Sequence, residues 1–336
     1  MSPREYDESD VRIRPSRTTR RRSKDRPTHS DSVTAFVTTV DRGRTTCVTD
    51  SGTVITAMKA RELGPKSIVV GDYVEVVGDL SGTDGSLARI VAVNERTNSL
   101  SRTVDDAARV ERTIVANIDQ LIIVVSATNP EPRRGLIDRF LVSAFHESIT
   151  PIILITKVDL LPVPDFFSEY RALGIEIITT SSKLDSRAQE VSAIKELLHN
   201  KISVLVGHSG VGKSTLINDL VESADRVTGD VNDVTGRGRH TSSSALALRL
   251  SGGGWIIDTP GIRAFGLSHL DKNRIIEAFP DIYEITQNCM PRCSHHESSC
   301  KLNEWIESVP GLKNERLIRV TSLQSLLEVK PADEQR

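Results

Sequence analysis

Gly207-His208-Ser209-Gly210-Val211-Gly212-Lys213-Ser214 limits what this chain can fold into more than any other segment. It matches G-x-x-x-x-G-K-[ST], which requires a buried strand, then a turn open to glycine backbone, then a helix N-terminus. Both flanks comply: the apolar run Ile202–Val206 precedes it and a helical stretch, Lys213–Val221, follows. Backbone N–H groups along such a loop point at phosphate oxygens, and the helix dipole adds positive potential. The segment from Gly207 to Thr215 therefore predicts a nucleoside triphosphate site, with Lys213 reaching the β- and γ-phosphates and Ser214 offering its hydroxyl to Mg²⁺.

Alternating strand and helix patterns surround this loop. Leu121–Ser126 and Ile152–Thr156 are continuous apolar runs of the parallel-sheet kind, and between them Arg134–Glu147 carries Ile137, Leu141, Ala144 and Phe145 at helical spacing. Strand Ile175–Thr180, helix Glu190–His199, and strands Ala245–Leu250 and Gly254–Asp258 complete a doubly wound α/β domain. Two further motifs end strands. Asp258-Thr259-Pro260-Gly261, 45 residues after Lys213, supplies an acid for Mg²⁺ and a glycine N–H for the γ-phosphate. Thr156-Lys157-Val158-Asp159 resembles N-K-x-D with Thr in place of Asn. Asp159 can accept hydrogen bonds from guanine N1 and N2, which selects GTP over ATP, and the Lys157 stem packs on the base. Ser181-Ser182-Lys183 stands where a loop supporting the base belongs. Exchanging Asn for the shorter Thr puts in doubt the tie that this position normally makes to the phosphate loop. The base motif precedes the phosphate loop, the reverse of ordinary GTPases, so the domain is circularly permuted. Chain leaving Gly261 runs straight into the C-terminal helices.

The 336 residues allow two or three domains at ~100–200 residues each. Residues 1–31 hold eight Lys/Arg between Arg12 and Arg26 against the single acid Asp25, and almost no large apolar side chains. This predicts a disordered basic tail, either a solvated extension or an arm for nucleic-acid phosphates. Residues 32–98 carry five short β-rich runs separated by turn signals, Val33–Val40, Arg44–Val48, Thr53–Ala57, Asp72–Val77 and Leu87–Val93, which suit a small barrel of OB type or, failing that, SH3-like. A polar connection, Asn98–Arg112, leads into the α/β domain at 99–267; residues 268–336 read as helical, ending in a helix near Leu312–Leu327.

Three of the four cysteines lie between Cys289 and Cys300. With an imidazole from His295 or His296, Cys289, Cys293 and Cys300 form the Cys₃His set of a closed structural zinc site. Four cysteines are too few for a disulfide framework. No apolar run approaches the ~20 residues of a bilayer span, and the reading is a soluble cytoplasmic protein without a membrane partner, expected to be monomeric. A net charge of −2 says nothing for a dedicated basic nucleic-acid binder, and an average over several domains can hide local patches of either sign.

Taken together, the segments Val70-Gly71-Asp72, Thr156–Asp159, Gly207–Thr215, Gly238-Arg239-His240-Thr241, Asp258–Leu267 and the cysteine cluster resemble the circularly permuted ribosome small subunit-dependent GTPase A family (RsgA, also called YjeQ). The resemblance runs from about Ser32 to the final helix. It implies an OB barrel, a permuted GTPase domain and a helical zinc domain acting on the small ribosomal subunit and its rRNA late in maturation, with hydrolysis of GTP to GDP stimulated by that subunit. It also implies zinc ligands Cys289, Cys293, His295 and Cys300, one ion per chain, and a water-orienting role for His240. Ile262 occupies the place where Ras-like enzymes keep a Gln that orients the attacking water. Thr241, with Ser242 as alternative, is the candidate sensor of Mg²⁺ and γ-phosphate. Two other readings compete: an RNA-binding scaffold with nucleotide as a structural ligand, and a permuted GTPase serving another ribonucleoprotein.

Overall fold

The computed structural model describes residues 31–41, 43–63, 68–103, 111–181, 183, 186–221, 245–259 and 272–327. The predicted basic tail therefore lies outside the described residues, apart from Asp31. So do Ser182, the segment Gly238–Ser242 with His240 and Thr241, and Pro260–Leu267 with Gly261 and Ile262.

Five strands form the N-terminal barrel: β1 (Val33–Asp41), β2 (Arg44–Thr49), β3 (Val54–Lys59), β4 (Tyr73–Gly78) and β5 (Ala88–Val93). They pair in the order β1-β2-β3-β5-β4, and β4 returns to β1 to close the ring. Alternate residues Ala35, Val37, Cys47, Ile55, Ala57, Val74, Val76, Ala88 and Ile90 fill the interior, as the period of a pleated strand requires.

The connection from Asn98 to Arg112 is more than a polar linker. It contains β6 (Ser99–Thr103) and begins β7 (Glu111–Ala116), an antiparallel ribbon. Its pattern gives little sign because its buried apolar residues are few, Leu100, Val115 and Ala116, and the last two are adjacent and not alternating.

The α/β domain follows with β8 (Gln120–Ser126), α1 (Arg134–His146), β9 (Thr150–Thr156), α2 (Phe167–Ala172), β10 (Glu176–Thr180), α3 (Arg187–Leu197), β11 (Ile202–Val206), α4 (Lys213–Leu220), β12 (Leu246–Arg249) and β13 (Trp255–Asp258). The sheet order is β10-β9-β8-β11-β13-β12, with β12 the one antiparallel member. A continuous apolar strand serves both faces of such a sheet. Leu121, Ile123 and Val125 pack with α1 and α2, while Ile122 and Val124 pack with α3 and α4. In α1 the stripe shifts from expectation: Ile137, Leu141 and Ala144 are buried, but Phe145 is 37% exposed and Asp138 only 2%.

The barrel joins this sheet by β1 pairing with β12 at Thr39 and Leu246. A second joint is Val70-Gly71-Asp72. Gly71 has φ +91°, and a Cβ there would stand 2.1 Å from the Ala116 carbonyl oxygen, so only glycine fits. Asp72, fully buried, accepts bonds from the Arg96 guanidinium at 2.7 and 2.9 Å and from the Val69 amide at 2.8 Å. Phe36 stacks on Trp255 with ring centroids 4.7 Å apart.

The C-terminal elements are α5 (Lys272–Glu277), α6 (Pro280–Thr286), α7 (Lys301–Glu307) and α8 (Lys313–Leu327). Their core includes Val142 of α1. Among the described residues no helix is long and apolar enough to cross a membrane.

Beside Val142, Asp138 accepts bonds from the Tyr170 hydroxyl at 2.9 Å and from Ser322 of α8. Burial raises its carboxyl to about 6, against the bond from Tyr170 and the charges of Arg319 and Arg134. That value exceeds the unfolded one, so the native state holds an extra proton between roughly pH 4 and 6 and stability falls as pH rises through that window. Asp138→Asn removes this term. In urea unfolding the variant should gain on the wild type by up to ~3 kcal/mol between pH 4 and pH 7; a difference independent of pH would reject the assignment.

Candidate functional site

Parallel pairing brings the described parts of the phosphate loop, the base motif and the Asp258 strand end to one edge. β8, β9, β10, β11 and β13 all run the same way, and in the register Ser126, Thr156 and Thr180 stand abreast while Leu205 faces Asp258. β11 lies between β8 and β13, where chain connections depart in opposite directions, the place in open α/β sheets where ligands bind.

The phosphate loop leaves β11 at Gly207, whose φ is +143°; a Cβ there would stand 2.1 Å from the Val124 carbonyl oxygen. Gly212, at φ +99°, caps α4. Lys213 donates to the carbonyls of Gly207 at 2.7 Å and His208 at 2.9 Å, so its ammonium sits over the loop that it would share with phosphates. Ser214 and Thr215 are exposed at the helix start. Asp258, half-buried at the end of β13, has its carboxyl pushed up by burial and drawn back by Lys213. Lys213 is pushed down by burial and supported by Asp258. The two desolvated charges thus stabilise each other beside the loop. The Ser214 hydroxyl and Asp258 carboxylate are hard oxygen donors of the kind that Mg²⁺ takes. Thr259 anchors the strand end by donating to the Leu205 carbonyl at 2.8 Å.

The base motif is tied to this loop after all. Thr156 directs its hydroxyl at the Val211 carbonyl at 2.6 Å, with the Val125 carbonyl at 3.2 Å, so the shorter side chain still spans the gap to the phosphate loop. Lys157, at φ +60°, donates to the Gly210 carbonyl at 2.9 Å and to the Asn129 carbonyl. Asp159 accepts a bond from the Ser181 hydroxyl. Ser181 and Asp159 are therefore one unit, whereas Lys183 is exposed and gives its amide to the Ser181 hydroxyl.

Sequence reasoning missed two residues that hold this unit, Arg187 and Glu190. Periodicity starts the helix at Glu190, but α3 begins at Arg187 and both side chains turn back to Thr180 and Ser181. The signal available was a Ser-Arg-x-x-Glu run directly after the base loop. Asn129 contributes through its carbonyl alone, which no sequence pattern marks.

In the C-terminal part, Cys289, Cys293, His295 and Cys300 bring their donor atoms within 4.8 Å of one another. The His295 Nδ1 lies 3.8 Å from the Cys289 Sγ and 3.6 Å from the Cys300 Sγ, whereas His296 is exposed and outside the cluster. All four cysteines of the chain are free of disulfides. Three thiols and an imidazole at this separation suit a tetrahedral metal ion with no open position, which would take the three sulfurs as thiolates. Gln324 of α8 holds the knuckle by donating to the His295 carbonyl at 2.6 Å.

The chain is similar to proteins of one family. The RsgA GTPase family model matches residues 93–268. A small ribosomal subunit biogenesis GTPase RsgA of Chlorobaculum tepidum is 35% identical over 282 residues, covering 81% of this chain and 88% of the relative. The protein of the same name from Shewanella oneidensis is 38% identical over 253 residues, covering 72% and 70%. Among solved structures, YjeQ from Thermotoga maritima is similar with a TM-score of 0.64 at 26% identity, over 89% of this chain and 99% of that one. YloQ, described as a circularly permuted GTPase, gives 0.64 at 25%, over 90% and 98%.

The Thr156 contact predicts a measurable loss. Thr156→Val keeps the shape and leaves the Val211 carbonyl without its donor, which at ~1 kcal/mol net per hydrogen bond should weaken GDP binding about 5-fold, while Thr156→Ser stays near wild type. Equal dissociation constants for the valine and serine variants in a GDP titration would show that the tie is idle.

Proposed function

The chain belongs to the RsgA GTPase family, and from that premise we propose how it acts: it is a GTP-hydrolysing enzyme of small ribosomal subunit biogenesis whose turnover rises when it meets that subunit. The observation that carries the reading is the convergence of Lys213, Asp258, Thr156 and the Ser181–Asp159 pair at one sheet edge, the base-side residues ahead of the phosphate loop in the chain.

In this reading the backbone from Gly207 to Gly212, with Lys213, Ser214 and Thr215, surrounds the phosphates, and Asp159 reads the guanine edge with Ser181, Ser182, Thr156 and Lys157 supporting it. A magnesium ion held by Ser214 and Asp258, with Thr241, would neutralise charge on the β- and γ-phosphates. Gly261 offers its N–H to the γ-phosphate. His240 is the candidate to orient water, since Ile262 has no polar atom for that task. We assign one structural zinc ion to Cys289, Cys293, His295 and Cys300. Domain limits of 32–98 for an OB-type barrel, 99–267 for the GTPase and 268–336 for the zinc-bearing helices fit the closed strand order and the position of the cluster. A monomer acting on rRNA in the cytoplasm, with the basic tail as an added phosphate contact, completes the proposal.

GTP turnover measured alone, with small subunits and with large subunits tests it. Small subunits should raise turnover at least tenfold, large subunits should not, and His240→Ala should lose the stimulation while GDP affinity stays. Stimulation by both subunits or by neither would reject the proposed partner. For the metal, freshly purified protein should contain about one zinc per chain. Cys293→Ser/Cys300→Ser should lose the zinc and lower the unfolding midpoint; metal-free wild type of unchanged stability would refute the site.

A further inference from the structure

Arg187 occupies a position that the nucleotide-site reading does not use. It stands in the first turn of α3, directly after the loop that carries Ser181, and its side chain is 19% exposed. One end of its guanidinium donates to the Thr180 hydroxyl and to the Ser181 carbonyl, the latter at 3.1 Å. The other end pairs with Asp219, in the last turn of α4, the helix that opens at the phosphate-binding Lys213. A single rigid fork thus spans the base-side loop and the phosphate-side helix.

Glu190, one turn along α3, grips the same loop from the other side. It accepts the Thr180 hydroxyl at 3.0 Å and the Ser181 amide at 3.1 Å, and it also receives the Ser186 hydroxyl at 2.7 Å. Burial works against its charge, yet these bonds and Arg187 hold the carboxyl below the usual range, so it remains an acceptor. Thr180 and Ser181 are both 1% exposed, and Ser181 has its backbone N–H, backbone carbonyl and hydroxyl all engaged. The last of these bonds fixes Asp159. A chain of contacts therefore runs from Asp219 through Arg187 and Ser181 to the Asp159 carboxylate.

We propose that Arg187 is a positioning residue for guanine specificity: it clamps the Ser181 loop to the phosphate-loop helix and thereby holds Asp159 aligned to read the base edge. The role rests on the reading of Asp159 as the guanine-selecting carboxylate. It does not require Arg187 to touch nucleotide. A planar guanidinium suits the task because it can serve two acceptors on one side and a carboxylate on the other, geometry that a lysine ammonium cannot reproduce.

Binding of GDP, IDP, ADP and XDP to the full-length protein and its variants tests the proposal. IDP lacks the 2-amino group that Asp159 would read, so the GDP-to-IDP ratio reports alignment of that carboxylate, and ADP reports the phosphate site. Arg187→Ala should weaken GDP at least tenfold and ADP less than threefold, bringing the GDP-to-IDP ratio toward unity and speeding GDP release. Arg187→Lys, which retains the charge beside Asp219, should keep the unfolding midpoint within a few degrees and still lose most of the discrimination, so the test survives if the alanine variant does not fold. If discrimination in the lysine variant stays within twofold of wild type, the positioning role is overturned. Asp159→Asn separates the underlying reading: a swing toward XDP upholds Asp159 as base reader whatever Arg187 does, and an unchanged preference for GDP brings down both.

Discussion

The ladder that sets β11 between β8 and β13 is the interaction on which the rest of the molecule depends. Through it Val206 meets Ile123 on one side and Leu205 meets Asp258 on the other, so the phosphate loop, the base motif and the acid of β13 emerge at one edge with no long-range adjustment. The close approach of Gly207 to the Val124 carbonyl is the local expression of that ladder: the loop can begin its turn only because its first residue has no Cβ to collide with β8. Lys213 and Asp258 would each be costly to bury alone, and the same strand order that makes them neighbours lets each offset the other.

Permutation leaves this ladder intact and alters what is attached to it. Since β8, β9 and β10 come first, the barrel is connected to the base half of the site, and the chain after β13 goes on to the C-terminal helices. Non-covalent joints reinforce both attachments. On the barrel side, Gly71 nests against Ala116, and the buried Asp72 carboxylate, paired with the partly exposed Arg96 and bonded to the Val69 amide, locks the turn, so the one buried charge is matched and hydrogen-bonded. On the other side, α8 reaches Asp138 of α1 through Ser322 and the cysteine–histidine knuckle through Gln324.

What could be read in advance follows from where each interaction lies in the chain. Strands whose both faces are buried announce themselves as apolar runs, and β8, β9 and β11 stand within two residues of their expected limits. The phosphate loop and the cysteine cluster are legible because their chemistry sits in a few consecutive residues. The β6–β7 ribbon is obscured because Leu100, Val115 and Ala116 are its buried apolar residues and two of them are adjacent, so the alternation expected of a half-buried strand is too faint to register. In α1, Phe145 lies on the apolar stripe yet is exposed, while Asp138 lies beside the stripe and is buried, because α8 covers a second flank of the helix. No helical periodicity can foresee a partner that arrives 184 residues later.

Thr156 shows the same limit at the level of one side chain. Pattern matching marks it as a departure from Asn and so as a weakened tie, but whether a hydroxyl can replace a carboxamide depends on how far Val211 stands from the end of β9. That distance is set by Gly212 and the helix start behind it, and at 2.6 Å it falls within reach of the shorter group. A β-branched residue is also at home at the end of a buried parallel strand, where its methyl packs against Gly212 while the hydroxyl turns to the loop. The substitution therefore exchanges side-chain reach for strand fit without giving up the hydrogen bond, and the separation of the two motifs, not the identity of the residue, decides whether the site is held together.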